Sequence, residues 1–118
     1  MSAEHRLALV LIARIYDSLR QGIEDESVFA LVTTRFENEL LHHFADEEGV
    51  LAGIQVSTTN QHLTTRTINE HHELRALIHG IQSGQLASLR EFASLLEAHV
   101  EFEERELYPV LLRSAPNP

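Results

Sequence analysis

The amino-acid sequence predicts an all-α protein, an antiparallel up-down-up-down bundle of four helices. Three observations predict it. Apolar residues recur at helical spacing in four separate stretches, and no stretch shows the period-two alternation of a strand. The connectors between the stretches are short. Only five glycines and three prolines interrupt the 118 residues, which leaves room for long rods. A chain of this length supports one core and not two, so residues 1–113 are expected to form one domain and residues 114–118 a tail.

Helix one is expected over roughly residues 3–21, with Leu9, Ile12, Ile15, Tyr16 and Leu19 on one stripe. Gly22 ends it, and Ile23 stands where a Schellman cap takes its apolar contact. Asp25 or Ser27 caps helix two, which runs to about Gly53 on a stripe of Phe29, Val32, Phe36, Leu40, Val50, Leu51 and Ile54. Ser57, Thr58, Thr59 and Asn60 mark the longest connector. Helix three begins at Thr58 or at Thr67, each with Gln61 or Glu70 in place to complete a capping box. Its inward face of Leu63, Leu74, Leu77, Ile78 and Ile81 favours the earlier start. Ser83-Gly84-Gln85 breaks the chain again, and Ser88-Leu89-Arg90-Glu91 reads as a capping box opening helix four. The stripe there is Leu89, Phe92, Ala93, Leu96, Val100, Leu107, Val110 and Leu111, with Pro109 expected to kink the last turns modestly.

Composition removes several function classes. The chain has no Cys, hence no disulfide, thiolate metal site, cysteine-ligated cluster or cysteine nucleophile. A formal charge of −9 argues against a phosphate-backbone partner, since nucleic-acid binding needs a basic face. The apolar run Leu7–Ala13 is closed by Arg14 and lacks the cleavage signature of a signal peptide. Nothing approaches the roughly 20 apolar residues of a membrane span. These features set the expectation of a cytoplasmic protein without a membrane or nucleic-acid partner.

The chemistry lies in its eight histidines and paired acids. His99-Val100-Glu101-Phe102-Glu103-Glu104 and His43-Phe44-Ala45-Asp46-Glu47-Glu48 each place a histidine one helical turn before the first glutamate of a pair. At about 100° per residue, His5 lies about 20° from its stripe centre and His43 about 40°. His71 lies about 60° away and His99 about 75–80°. His42, His62, His72 and His79 fall roughly 120–160° away and should face solvent. Glu47 is nearly central and Glu103 about 40° off. Each helix therefore contributes one inward histidine, and two contribute an inward glutamate.

Height is an independent test. From the join of helices one and two, His5 and His43 are each about 22–24 Å up; from the join of helices three and four, His71 and His99 are about 18–20 Å up. All four reach one layer, with Glu47 and Glu103 a turn beyond. The competing register, in which Glu39 and His42 supply the Glu-x-x-His of ferritin-like helices, needs His42 inside and a second such motif on helix four. Neither condition is met. A bundle whose inward histidines merely hydrogen-bond is the plain alternative. It would have to hold two carboxylates in its interior, at several kcal/mol each without compensation, and no inward Lys or Arg stands at that level. A metal site follows: imidazole and carboxylate without thiolate suit iron, manganese or zinc. Four histidines and two acids suit two ions, each taking two rings and one oxygen from each glutamate.

The sequence resembles the hemerythrin-like, HHE cation-binding family over almost its whole length. The residues that carry the resemblance are Glu4-His5-Arg6, His43-Phe44-x-x-Glu47-Glu48, Glu70-His71-x-Glu73-Leu74 and His99-x-x-x-Glu103-Glu104-x-x-Leu107-Tyr108-Pro109. It implies a four-helix bundle around a non-haem di-iron centre, bridged by an oxo or hydroxo group. His5, His43, His71 and His99 would be terminal ligands and Glu47 and Glu103 bridges. There are departures. Oxygen carriers have a second histidine one turn after the helix-three ligand, where this chain has Arg75; they tend to carry an aspartate five residues after the helix-four histidine, where Glu103 stands at four. The Leu-Phe-Pro that often follows the helix-two motif is Leu51-Ala52-Gly53 here, and at the end of helix four the phenylalanine is Tyr108. Loss of the fifth histidine leaves both ions similarly open, as in the branch linked to nitric oxide or peroxide chemistry, iron–sulfur repair and sensing. Glu70 is expected as an extra ligand or a partner of one. The function expected is binding of, or reaction with, O2, NO or peroxide at an open iron site; the alternatives are an iron sensor or scavenger without turnover, and a structural bundle. No general base or nucleophile stands out, so no catalytic residue is assigned.

Overall fold

The computed structural model describes residues 3–21, 26–53, 61–83 and 86–114, all helical apart from a turn at Ser83. The first rod is α1 (Ala3–Gln21). The second is α2 (Glu26–Arg35), a π-helical turn at Phe36–Leu40 and α3 (Leu41–Gly53). The third is α4 (Gln61–Gln82). The fourth is α5 (Leu86–Phe102), a second π turn at Glu103–Leu107 and α6 (Tyr108–Ser114). The body they form is 49 × 23 × 22 Å.

Contacts between neighbouring rods run in opposite senses. His5 meets His43, while Arg14 shares a groove with Arg35. Phe44 meets His71, while Leu51 and Leu63 join one apolar cluster. His71 meets His99, while Arg66 covers the ring of Phe102. Tyr108 stacks on His5, while Arg20 shares a groove with Arg90.

The rods bury the stripes their spacing dictates. Ile12 and Ile15 of α1, Val32 and Leu40 of the second rod, and Leu74, Ile78 and Ile81 of α4 join Leu89, Phe92, Ala93, Leu96 and Val100 of α5 in one large cluster. A smaller cluster of Leu51, Leu63, Phe102, Leu107 and Val110 forms at the other end. His71 and His99 lie between residues of the two clusters along their own helices, so a polar layer sits between two apolar plugs.

Several expectations shift. Val50 is half exposed rather than part of the stripe, because it lies roughly a third of a turn from the line of Phe44 and Leu51. Ser88 is the third residue of its helix and not its cap. Thr67 is interior to α4, where its hydroxyl donates back to the Leu63 carbonyl at 2.8 Å. The irregularity ahead of Pro109 is a π turn: the Tyr108 N–H reaches the Glu103 carbonyl five residues back. Widening relieves the clash between a proline ring and the carbonyl four residues before it. Gly22, Ile23 and Asp25, Ile54 and Ser57–Asn60, and Gly84 and Gln85 lie outside the described residues, as do the side chains of Ser27, Phe29 and Phe36.

Candidate metal centre

The centre is built where the four rods bring their inward histidines together. His5, His71 and His99 are buried, His43 nearly so, and His42, His62, His72 and His79 face outward. Glu103 is buried and Glu47 is 11% exposed. Their donor atoms form two groups sharing Glu47. His5, His43, Glu47 and Glu103 make one; Glu47, His71 and His99 make the other; within each group the donor atoms lie within 4.8 Å of one another. Glu103 also reaches the second group, its Oε1 lying 3.2 Å from His5 Nε2 and 3.1 Å from His99 Nε2. Glu47 Oε1 is 3.5 Å from His43 Nε2 and 3.3 Å from His71 Nε2. Donors bonded to one ion at about 2.0–2.2 Å lie about 3 Å apart when at right angles, so these separations suit coordination.

Hydrogen bonds behind the rings decide which nitrogen faces inward. His5 Nδ1 is 2.6 Å from Glu104, His71 Nδ1 2.7 Å from Glu48, and His99 Nδ1 2.7 Å from Glu70. A carboxylate at that distance holds the ring hydrogen at Nδ1. Each Nε2 then presents a lone pair to the centre unless the ring takes a second proton. His71 Nε2 and His99 Nε2 face each other at 3.2 Å, and two lone pairs cannot bond. With the carboxylates of Glu47 and Glu103 alongside, the layer demands positive charge from protons or from cations. The guanidiniums nearby do not supply it at the centre: Arg75 is 3.0 Å from Glu48 and Arg66 is 3.1 Å from Glu70, both on the outer side of the rings. His43 Nε2, Glu47 Oε1 and Glu103 Oε2 are buried without any hydrogen-bond partner. Nitrogen and carboxylate donors left unsatisfied and facing one another are what a bound cation satisfies.

Electrostatics agree. Burial works against the charge of Glu47, but the closeness of the His71 and His43 rings and the Tyr108 hydroxyl outweigh it and hold the carboxyl below its ordinary range. Glu48 is likewise held low: a smaller desolvation is outweighed by hydrogen bonds from His71 and Arg75. Burial pushes the His99 imidazole below its usual value, and Glu70 offsets only part of that. A neutral ring is the form that ligates.

The six residues singled out by spacing therefore meet in one layer, and Glu70 stands behind His99 rather than in the centre. Spacing alone missed three things. The second glutamate of each pair turns to a neighbouring rod, Glu48 to His71 and Glu104 to His5. Phe44 stacks on His71 at 4.1 Å between ring centroids and meets His99 edge-on. Tyr108 stacks on His5 and brings its hydroxyl within 3.0 Å of Glu47 Oε2 and 3.1 Å of His5 Nε2. The doubled glutamates were the available signal for the first; for Tyr108 helical phase gave none, since the π turn resets it, and only its place in the family motif pointed to it.

A family model described as the hemerythrin HHE cation-binding domain matches residues 1–111. Neither the curated proteins nor the solved structures compared with the chain contain a match to it.

Proposed function

Because the chain belongs to the hemerythrin family of HHE cation-binding domains, we propose that its central layer holds two iron ions. His5 and His43 would serve one ion, His71 and His99 the other, and Glu47 and Glu103 would bridge them. The observation that carries this reading is the convergence of inward Nε2 atoms and orphaned buried carboxylate oxygens with no guanidinium among them in the described residues.

When bound, iron in such a centre supplies a redox-active Lewis acid for a small ligand: O2, NO or peroxide. The chain's own residues do the rest. Glu104, Glu48 and Glu70 fix ring tautomer and orientation and raise the basicity of the inward nitrogens. Phe44 covers the His71–His99 side, and the two apolar clusters keep bulk water from the layer. Arg75, at the position where oxygen carriers have their fifth histidine, is turned to Glu48 by two contacts of 3.0 and 3.4 Å. This supports an arrangement with two rings on each ion and coordination positions left for ligand.

Metal content of purified variants tests the assignment. Glu47→Ala and Glu103→Ala are expected to retain half the wild-type iron or less, while His42→Ala and His72→Ala retain all of it. Equal losses from inward and outward variants would overturn it. Binding is separated from turnover by following the iron spectrum after addition of peroxide, O2 or NO: repeated consumption marks an enzyme, a single saturable change a sensor or scavenger.

A further inference from the structure

The two halves of the centre are not chemically alike. Tyr108 places its hydroxyl 3.0 Å from Glu47 Oε2 and 3.1 Å from His5 Nε2, and its ring lies parallel to that of His5 with centroids 5.3 Å apart. The chain has one other tyrosine, Tyr16, which packs against the large apolar cluster. The phenol therefore meets a ring of the His5–His43 half, and Glu47, which both halves share. Glu47 Oε2 receives the Tyr108 hydroxyl, whereas its Oε1 is the atom that faces His43 and His71. The phenol thus turns Glu47 so that a single oxygen looks into both groups.

The outer carboxylates differ in the same sense. Glu48 behind His71 and Glu70 behind His99 are each paired with a guanidinium, of Arg75 and Arg66. Glu104 behind His5 has no such cation among the described residues: the adjacent Arg105 pairs with Glu101. An uncompensated carboxylate makes its imidazole the stronger donor, and a nearby guanidinium reduces that effect.

We propose that Tyr108, as a positioning residue for Glu47 and His5, together with the Glu104–His5 pair, which has no guanidinium among the described residues, makes the His5–His43 position the tighter of two unequal cation sites. It fills first and holds its ion, and the His71–His99 position is the exchangeable one. This rests on the two-cation reading above.

The test is an anaerobic titration of metal-free full-length protein with Co2+ alone, read by competition with a chromophoric chelator and by the ligand-field absorption of each equivalent. Wild type should bind two ions in two resolved steps. Tyr108→Phe keeps the ring and its stacking and removes the hydroxyl. It should weaken the first step by about tenfold, the low end of the range for loss of a ligand's hydrogen-bond partner. It should also shift the absorption of the first equivalent, and weaken the second step less, since Glu47 faces both groups but the hydroxyl meets a ring of the first alone. Glu104→Gln should weaken the first step alone and Glu48→Gln the second alone, so the assignment is tested even if one variant folds poorly. Two ions bound with indistinguishable affinities, or the same two steps in Tyr108→Phe as in wild type, would overturn the inequality while leaving the two-cation reading intact. Binding of no Co2+ would overturn both.

Discussion

A neutral imidazole has one hydrogen and one lone pair, and a carboxylate at 2.6 to 2.7 Å settles which nitrogen keeps which. That rule operates on three rings here and turns a cluster of histidines into a set of inward-facing donors. It predicts that the outer acids matter for metal and not for fold. Glu70→Gln keeps the shape and an acceptor for His99 Nδ1 but removes the charge that strengthens the ring as a donor. The expected outcome is about a tenfold loss of affinity for Fe2+, measured by anaerobic chelator competition, with an unchanged helical circular dichroism spectrum. Loss of helix with loss of metal would mean that Glu70 acts on the bundle. Glu70 was expected from the sequence as an extra ligand or a partner of one; which of the two was not legible, because that depends on how α4 and α5 are rotated against each other.

At the scale of elements, the two π turns set what each rod presents. One precedes His43 and the other begins at Glu103, so both acid-bearing rods widen beside the polar layer. The helical stripes of α1, α4 and α5 were legible because 3.6-residue periodicity needs only a regular helix. A π turn adds a residue without leaving a composition signature, which is why Tyr108 was not foreseen at the centre and why Pro109 was expected only to kink. Val50 erred for a simpler reason: an apolar residue at the edge of a stripe is ambiguous by sequence and half exposed in the fold. Phe44 separates α3 from the His71–His99 pair and is 1% exposed. Phe44→Ala should therefore cost about 3–5 kcal/mol, read from denaturant midpoints, whereas Val50→Thr should stay within about 0.5 kcal/mol. Similar losses at both positions would contradict the rotation of α3 described here.

The whole molecule is a polar layer held between two apolar clusters, and its stability should follow the charge of that layer. In metal-free protein, burial holds the His99 pKa below the usual 6.5, so the unfolded chain takes up its proton first as pH falls. The contribution of the neutral ring is present above that value and is lost as pH drops through the window beneath it. Glu47, net lowered from 4.5, acts in the same direction further down. Urea midpoints of the metal-free protein should fall between pH 8 and pH 5.5; a rise over that interval would reverse the sign assigned to His99. Bound metal should raise the midpoint at pH 8, since ligands that favour the folded state stabilise it, and acid should release the metal as the rings take protons. The layer itself was legible from a chain read as four rods, because height along a helix follows from residue count alone. The second ring of acids and the guanidiniums behind them were not, because they depend on side-chain reach between rods.

The most direct measurement is iron per chain after anaerobic reconstitution with Fe2+ and desalting, for wild type and for the double variant Glu47→Ala/Glu103→Ala. The four-histidine, two-glutamate layer predicts close to two irons in wild type and close to none in the double variant. Wild type that retains no more iron than the double variant would contradict it.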